Sequence, residues 1–587
     1  MKGRLMKTVL SRTLAAVCIA GLPLGLASAD VPEVLDRVPA STPVVVSIGN
    51  VNAFFAQAEA ITGALKQDEA QAGVQMAKAM LSMPGINADG SAAIAITSLE
   101  GMNEEGAEPP MVVLMPVSDY AALVGNFGGT GEGLEMLNIE GNEVFIQNVG
   151  GGYAMVGPQQ DVLEGFDASE GNAAEHEAML GDVGQRMSDE NTVLVIANMD
   201  HLREPMMQGW QETSQNMRQM MAMGGQDPEQ AEATIDMVDG LMEAFSRDAQ
   251  RGLMGMSGGD YGFSFEIGAS FKGGSELAGT FAQSGNAAKL VDKLPGGPYL
   301  VAYAIDSSAP GIQAMITKMA EMGGEANNIP GLNPAGFLGK ARGMAQSIGL
   351  NPAGLMGGLF VNTTAVIDSP DANGLVEMFG EQIKATNGQV ASGLSMTTTF
   401  ADAPEQIGGV DAYKWSMQML PDMNTPGAMQ MQMMMPMLFG PSGGPNGYAA
   451  AADENTVVVT YSTSASLLEK AVGAAQNGGE LAKNEMVMAQ NERLHDEAFG
   501  YVYVDMGTIL KAVLPTVAMF AGPVNVDIPE NVTPLAMSMS SSGGGVGIRT
   551  VVPADLIELM KETGAAFEQM GGGMGGPGGG EEAPPSF

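Results

Sequence analysis

The chain has 587 residues, with 26 basic against 67 acidic side chains, three histidines, one cysteine, 48 methionines and 81 glycines. A formal charge of -41 excludes nucleic acid as a partner and disfavours anionic lipid headgroups, because affinity for both rests on clustered Lys and Arg. With 45% apolar and 16% charged residues the composition is that of a folded chain, long enough for three or four domains of about 150 residues.

At the N-terminus, Lys2, Arg4, Lys7 and Arg12 precede an apolar run over 13–26, and Ala27-Ser28-Ala29 offers a small-residue cleavage site before Asp30. This pattern predicts a Sec-type signal peptide over 1–29, cleaved after Ala29, and so a periplasmic or extracellular protein. Pro23 interrupts the run, which is shorter than the roughly 20 residues of a spanning helix. Cys18 follows Val17 and is not placed like a lipid-attachment cysteine. Cleavage removes four basic residues, no acidic ones and the only Cys, so stability must come from burial and packing without disulfides. No later apolar stretch is long enough for a transmembrane segment.

Runs rich in Val, Ile and aromatics predict strands over 43–49, 111–116, 143–148 and 192–197. A helical hairpin is expected over 205–250: Met206, Trp210, Met217 and Met220 recur at helical spacing, Gly224-Gly225 breaks the run, and Asp227-Pro228 restarts it. Ala231, Ile235, Val238, Met242 and Phe245 then mark one buried face. Further strands are predicted over 261–271, 299–305, 456–461 and 500–505. From Gly564 to Phe587 the Gly-rich composition predicts a disordered tail.

Two parts of the chain resemble one another. Residues 36–46 (DRVPASTPVVV) recur at 292–301 (DKLPGGPYLV), Ile61-Thr62 matches Ile316-Thr317, and Leu163-Glu164 matches Leu468-Glu469. Residues 187–199 resemble 494–506, aligning Asp189 with Asp496. The spacing of the matches widens once, which implies an insertion in the second copy near the Met-rich stretch 417–447. The expected fold is α+β in two related copies, 31–291 and 292–563, each a largely antiparallel sheet flanked by helices. Each copy would hold its own core, with a ligand crevice between them.

The unit joins a Pro-bounded opening strand (Pro43-Val-Val-Val-Ser-Ile, Pro298-Tyr-Leu-Val-Ala-Tyr) to a helix. Later comes a hairpin leading into a helix, Gly152-Tyr-Ala-Met-Val-Gly-Pro-Gln-Gln-Asp-Val-Leu-Glu164. Over most of residues 31–560 it resembles a family of secreted bacterial proteins catalogued only as a domain of unknown function. That family carries no established activity, cofactor or catalytic residues, so the resemblance implies none here.

Motifs that could carry chemistry are few. Gly255-Met-Ser257-Gly-Gly259 and Gly440-Pro-Ser442-Gly-Gly444 match the nucleophile-elbow pattern, which needs a strand entering the Ser and a helix leaving it. Ser257 reads as following a helix and preceding a strand, and Ser442 as lying in a Gly/Pro loop. His176, His201 and His495 form no short-range pair, which argues against a zinc site; each is expected at the surface. Asp371-Ala-Asn373-Gly374 imitates a calcium loop, but Gly380 stands where the bidentate Glu belongs, so Asp371 reads as a cap.

Met429, Met431, Met433, Met434, Met435 and Met437 crowd one short stretch, and thioethers are soft ligands that favour Cu(I). The residues aligned between copies are Pro, Val and turn-forming acids, which specify backbone and packing rather than catalysis. The expectation is therefore a non-catalytic exported binding or scaffolding protein of the bacterial envelope, with a protein or small molecule as partner and no cofactor. Two alternatives stand beside it: a Cu(I) or Ag(I) binding protein using those six methionines, and a hydrolase whose site no motif reveals.

Overall fold

The computed structural model describes residues 31–100, 109–139, 141–223, 228–322, 339–351, 357–391, 394–422, 428–522 and 526–571. The expected signal peptide and residues 572–587 of the expected tail lie outside the described residues.

The first half supplies β1 (Val44–Ile48), β2 (Ala92–Ile96), β3 (Met111–Pro116), β4 (Leu134–Ile139), β5 (Asn142–Gly150), β6 (Tyr153–Gly157), β7 (Val193–Asn198), β8 (Ala249–Gly259) and β9 (Gly262–Phe271). The second half begins with β10 (Tyr299–Asp306), β11 (Gly343–Gly349), β12 (Thr363–Asp368), β13 (Val390–Ala391), β14 (Leu394–Phe400) and β15 (Glu405–Ile407). It continues with β16 (Val410–Pro421), β17 (Asn446–Ala451), β18 (Thr456–Thr460), β19 (Gly500–Val504), β20 (Leu535–Ser542) and β21 (Gly545–Pro553). Sixteen α-helices accompany them among the described residues, including α1 (Val51–Ala64), α2 (Asp68–Met80), α3 (Ala173–Glu190), α4 (Met199–Met223), α5 (Pro228–Asp248), α6 (Pro310–Met322), α7 (Ala372–Ala385), α8 (Ala428–Phe439), α9 (Met506–Ala521) and α10 (Ala554–Gly571).

All 21 strands among the described residues belong to one sheet, antiparallel at every pairing. Its order is β4-β5-β6-β3-β2-β1-β7-β8-β9-β21-β20-β19-β10-β11-β12-β18-β17-β16-β14-β13, with β15 also on β16. The fold is thus α+β around a large antiparallel sheet, but the expected two sheets are one, joined where β9 pairs with β21. On each side of that join the order runs alike. β1 lies between β2 and β7, which leads to β8 and β9; β10 lies between β11 and β19, which leads to β20 and β21. The likeness continues outward, β4-β5-β6-β3 against β16-β17-β18-β12, and the second half adds β13, β14 and β15 beyond β16; the Met-rich stretch 417–447 supplies the end of β16, α8 and the start of β17.

Alternation along the strands sends residues to two faces. One face carries two apolar cores: Leu35, Val45, Leu114, Leu180, Val183, Leu194 and Leu253 in the first half, and Leu294, Ala304, Val366, Val458, Leu468 and Tyr503 in the second. The other face is covered in patches. Phe54 of α1 packs on Ile48 and Val193, Ile312 of α6 on Ala269 and Phe271, and Leu375 of α7 on Ile367 and Val457.

All eight strand-forming runs read from the sequence fall on strands, and the hairpin is present as α4 and α5. It begins earlier than expected, at Met199, so Pro205 lies inside α4; Asp227, the expected cap, lies outside the described residues. Trp210 Nε1 donates to Asp239 Oδ1 at 2.6 Å across the hairpin. Residues 249 and 250 are strand rather than helix, because β8 starts directly after Asp248. Asp189 and Asp496 do not occupy equivalent turns: Asp189 is in the last turn of α3, Asp496 in a bend before β19. Nor does helix stop at Gly564. α10 runs on to Gly571, since Ala565-Ala-Phe-Glu-Gln-Met570 is good helix-forming sequence. Among the described residues no helix is long and apolar enough to cross a membrane.

Candidate functional site

The most chemically loaded place among the described residues is where the halves join. β9 is an apolar strand with one carboxylate, Glu266, on its buried phase and no exposed surface. Its direct cross-strand partner is Arg549 of β21. Each stands four residues beyond the glycine that opens its strand, Gly262 or Gly545. α3 packs over β8, β9 and β21 and brings Arg186 and Glu190 from its final turns. The segment after the helix Glu485–Asn491 brings His495, whose backbone N–H donates to Ser538 Oγ at 3.1 Å and whose carbonyl accepts from Tyr501 Oη at 2.6 Å.

Glu266 Oε1 accepts from Arg186 Nη2 at 2.7 Å and faces His495 Nε2 at 2.9 Å, while Oε2 accepts from Arg549 Nε at 3.0 Å. Glu190 closes the ring by accepting from Arg549 and, at 3.3 Å, from Arg186. Burial alone would raise the Glu266 pKa. The hydrogen bond from His495 and the positive charges of Arg549 and Arg186 outweigh it and hold the carboxyl far below its usual range. His495 is pushed down, first by burial and then by the same two arginines acting against the pull of Glu266. A neutral imidazole facing a carboxylate through Nε2 carries its proton there. Nδ1 is then the acceptor for the Ser538 hydroxyl, 3.0 Å away.

Ser538, His495 and Glu266 thus form a hydrogen-bonded chain of nucleophile, base and acid. Its surroundings do not suit acyl transfer. Ser538 is fully buried in the middle of β20, not at an exposed turn, and its oxygen already accepts from the His495 amide. The cavity beside His495, bounded also by Asp496, Tyr501 and Tyr503, holds about 170 Å³, below the 300 Å³ or so of small-molecule pockets. Two carboxylates, two guanidiniums and a neutral imidazole satisfy one another and clamp β9, β21, β20 and α3 together.

A scan against protein-family models finds no match to the chain, and a search of curated proteins finds none. One solved structure, titled "Structure of crystal form III of TP0453", is similar at 8% identity and a TM-score of 0.20, over 46% of this chain and 96% of that one. A likeness so slight carries no argument. The reading of the site therefore rests on its geometry.

The residues singled out from the sequence are scattered. His176 and His495 are buried, against the expectation of surface positions, because each holds a distant segment: His176 Nε2 lies 2.9 Å from the Val38 carbonyl. His201 is exposed on α4. Ser257 lies within β8 rather than between a helix and a strand, its Oγ donating to the Glu190 carbonyl at 3.2 Å. Ser442 ends a short 3-10 helix, Gly440–Ser442, its Oγ donating to the Phe439 carbonyl at 2.7 Å. Asp371 caps α7 by accepting from Gly374 N at 2.9 Å.

The six methionines share α8 but do not all face one side. Met429, Met433, Met434 and Met437 are exposed, Met435 is buried and Met431 half-buried. Glu266, Arg186, Arg549 and Ser538 were not singled out from the sequence. The one signal was a lone charge in the buried phase of an apolar strand.

Proposed function

We propose that this is an exported, non-catalytic binding or scaffolding protein of the bacterial envelope, built from a duplicated α+β unit with copies over 31–291 and 292–563. The observation that carries the non-catalytic part is the burial of the cluster's one nucleophile: Ser538 has both its hydrogen bonds used inside the protein and no surface for a substrate. The like strand order on either side of the β9–β21 join supports duplication, and the surface acidity suits a solvated exported protein rather than one that binds polyanions. The likeness to secreted bacterial proteins noted above agrees with this reading.

The test combines chemistry and location. A fluorophosphonate probe and simple aryl esters should give neither labelling of Ser538 nor turnover, and the protein from its native host should begin at Asp30 in the periplasm or medium. Labelling at Ser538 would establish the hydrolase alternative instead.

A second reading has its own support. Met429, Met433 and Met437 follow one another at i, i+4 on one exposed face of α8, so neighbouring thioethers are within reach of a shared soft ion such as Cu(I). Anaerobic Cu(I) titration against a chromophoric competitor should show one bound ion, lost when all three become Leu.

A further inference from the structure

The outer strands of the first half, β4-β5-β6, have the like place in the sheet to β16-β17-β18 of the second, but the helices that follow them differ in length. Leu163 and Leu468, matched in sequence, open comparable helices. The second runs from Ala465 to Asn477 and buries Ala471, Val472 and Ala475 in one core with Ala450 of β17 and Val458 of β18. The first stops at Gly165, and a strap without regular structure leads from Phe166 to α3. With 6 residues against 13, the first half lacks about two turns. The missing turns leave room beside β5 for a cavity of about 500 Å³.

The cavity has an apolar body and one charged anchor. Leu134, Gln147 and Met155 stand directly across from one another on β4, β5 and β6 as its floor, and Leu163 and Phe166 form a wall. Arg37 lines it as well, although the residue is 7% exposed. Its Nη1 donates to the carbonyls of Val149 at 3.0 Å and Ala168 at 3.3 Å, which fixes the guanidinium in place. Asp36 secures the far end of the strap, its Oδ1 accepting from the amides of Gly171 at 3.0 Å and Ala173 at 3.2 Å. Arg37 Nη2 donates to Glu170, whose side chain is 69% exposed. Lys293, which matches Arg37 in sequence, instead donates to the fully buried Thr456 Oγ1 at 2.8 Å, so the second half presents no such anchor.

We propose that this cavity binds a small organic acid with a single carboxylate and an apolar body, the ligand's carboxylate taking the place of Glu170 on Arg37. The volume lies in the range of roughly 300–1,000 Å³ that holds small molecules. A guanidinium held out of water and already oriented makes a strong charge-assisted hydrogen bond. Glu170, on leaving, returns to solvent, where an exposed ion pair is worth little.

The ligand's charge follows from the lining. Arg37 is the one cation there, while Glu164 also lines the cavity and Glu170 stands beside it. A second negative charge on the ligand would meet these carboxylates and no further cation, which disfavours dicarboxylates and phosphate dianions. The chain's -41 acts against anions at a distance, but salt screens that field beyond about 8–10 Å. The proposal rests on the binding reading above and names a ligand class for it.

The probe is 4-phenylbutyrate, titrated into the purified chain by calorimetry. Saturable binding at one site is expected, at least tenfold tighter than that of 4-phenylbutanamide, which keeps the apolar body without the charge, or of 3-phenylglutarate, which carries two carboxylates. Glu170→Gln removes the competitor and should tighten binding at least threefold, a response that a merely apolar surface would not give. Leu134→Trp, at a half-buried position on the floor, should abolish binding with little change in Tm. Arg37→Gln should abolish it too, and the first two variants keep the test decisive if this one does not fold. No saturable binding, equal binding of the amide, tighter binding of the dicarboxylate, no gain from Glu170→Gln, or undiminished binding to folded Leu134→Trp would each overturn the proposal. None of these results bears on Ser538 labelling, so the ligand site and the non-catalytic reading fail separately.

Discussion

Glu266 shows how a single residue can be costly to keep and costlier to remove. Its carboxylate is stable only with Arg186, Arg549 and His495 around it, and replacing it by Gln leaves buried Arg549 and half-buried Arg186 with a neutral amide and only Glu190 to answer their charge. The expected loss is about 3–5 kcal/mol, read as a lower midpoint in urea.

Acid should destabilise the fold in two steps, the first at two buried imidazoles, only one of them in this cluster. The folded pKa values of His495 and His176 are both depressed below 6.5. Below that pH the unfolded chain takes up protons that the folded one refuses, and stability falls as pH drops. The depressed Glu266, with an ordinary value of 4.5, adds a second loss below about that pH, as the carboxylate of the unfolded chain protonates while the folded one stays charged. Midpoints measured from pH 7.5 to 3.5 should show both declines. Changing both histidines to Gln should abolish the first.

In the sequence, the phase of Glu266 within Tyr261-Gly-Phe-Ser-Phe-Glu-Ile was legible. Its partners were not: His495 is 229 positions away and Arg549 283, and nothing local marks them.

At the scale of elements, legibility followed composition. β1, β10 and β18 declare themselves through Val and Tyr. β8, β11 and β20 are built largely of Gly, Ala, Ser and Met, which have weak strand preference alone and gain it from two already-formed neighbours. The same dependence explains why the helix reading overran into β8.

The β8–β9 hairpin is also where a small change should do most damage. Gly262 has φ +121°, and a Cβ there would stand 2.2 Å from the Val552 carbonyl oxygen of β21. Gly262→Ala combines backbone strain with a clash against a rigid strand and should cost about 1–3 kcal/mol or more, against a small effect for Gly209→Ala in exposed α4. Denaturant midpoints of the two variants check the contrast. In α8, Leu at Met429, Met433 and Met437 should leave Tm nearly unchanged, because the side chains are exposed and the two residues have similar helix propensity.

For the whole molecule, the sheet makes the halves partners in one unfolding event. The two large apolar cores on either side are separate; what couples them is the β9–β21 ladder, the cluster over it and, on the other face, the packing of Ile312 of α6 on Ala269 and Phe271. Glu266→Lys sets a third cation beside Arg186 and Arg549, and calorimetry should show one transition resolving into two as the join fails before the cores do. Internal repetition in the sequence pointed to two units. It did not reveal that they share a sheet, since the joining strands β9 and β21 carry no matching residues apart from the opening glycine.

The pairing of Glu266 with Arg549 has a further consequence, for a chain still being made. β9 is complete half a chain before β21 exists, and until then its outer edge is a bare row of donors and acceptors, open to any strand that arrives first. The commonest stranger at that moment is β9 of another copy. Antiparallel self-pairing about the same centre would set Glu266 against Glu266, two like charges face to face in a desolvating ladder. The carboxylate therefore makes β9 a poor mate for its own kind and keeps the edge free until the late strand that brings an arginine arrives.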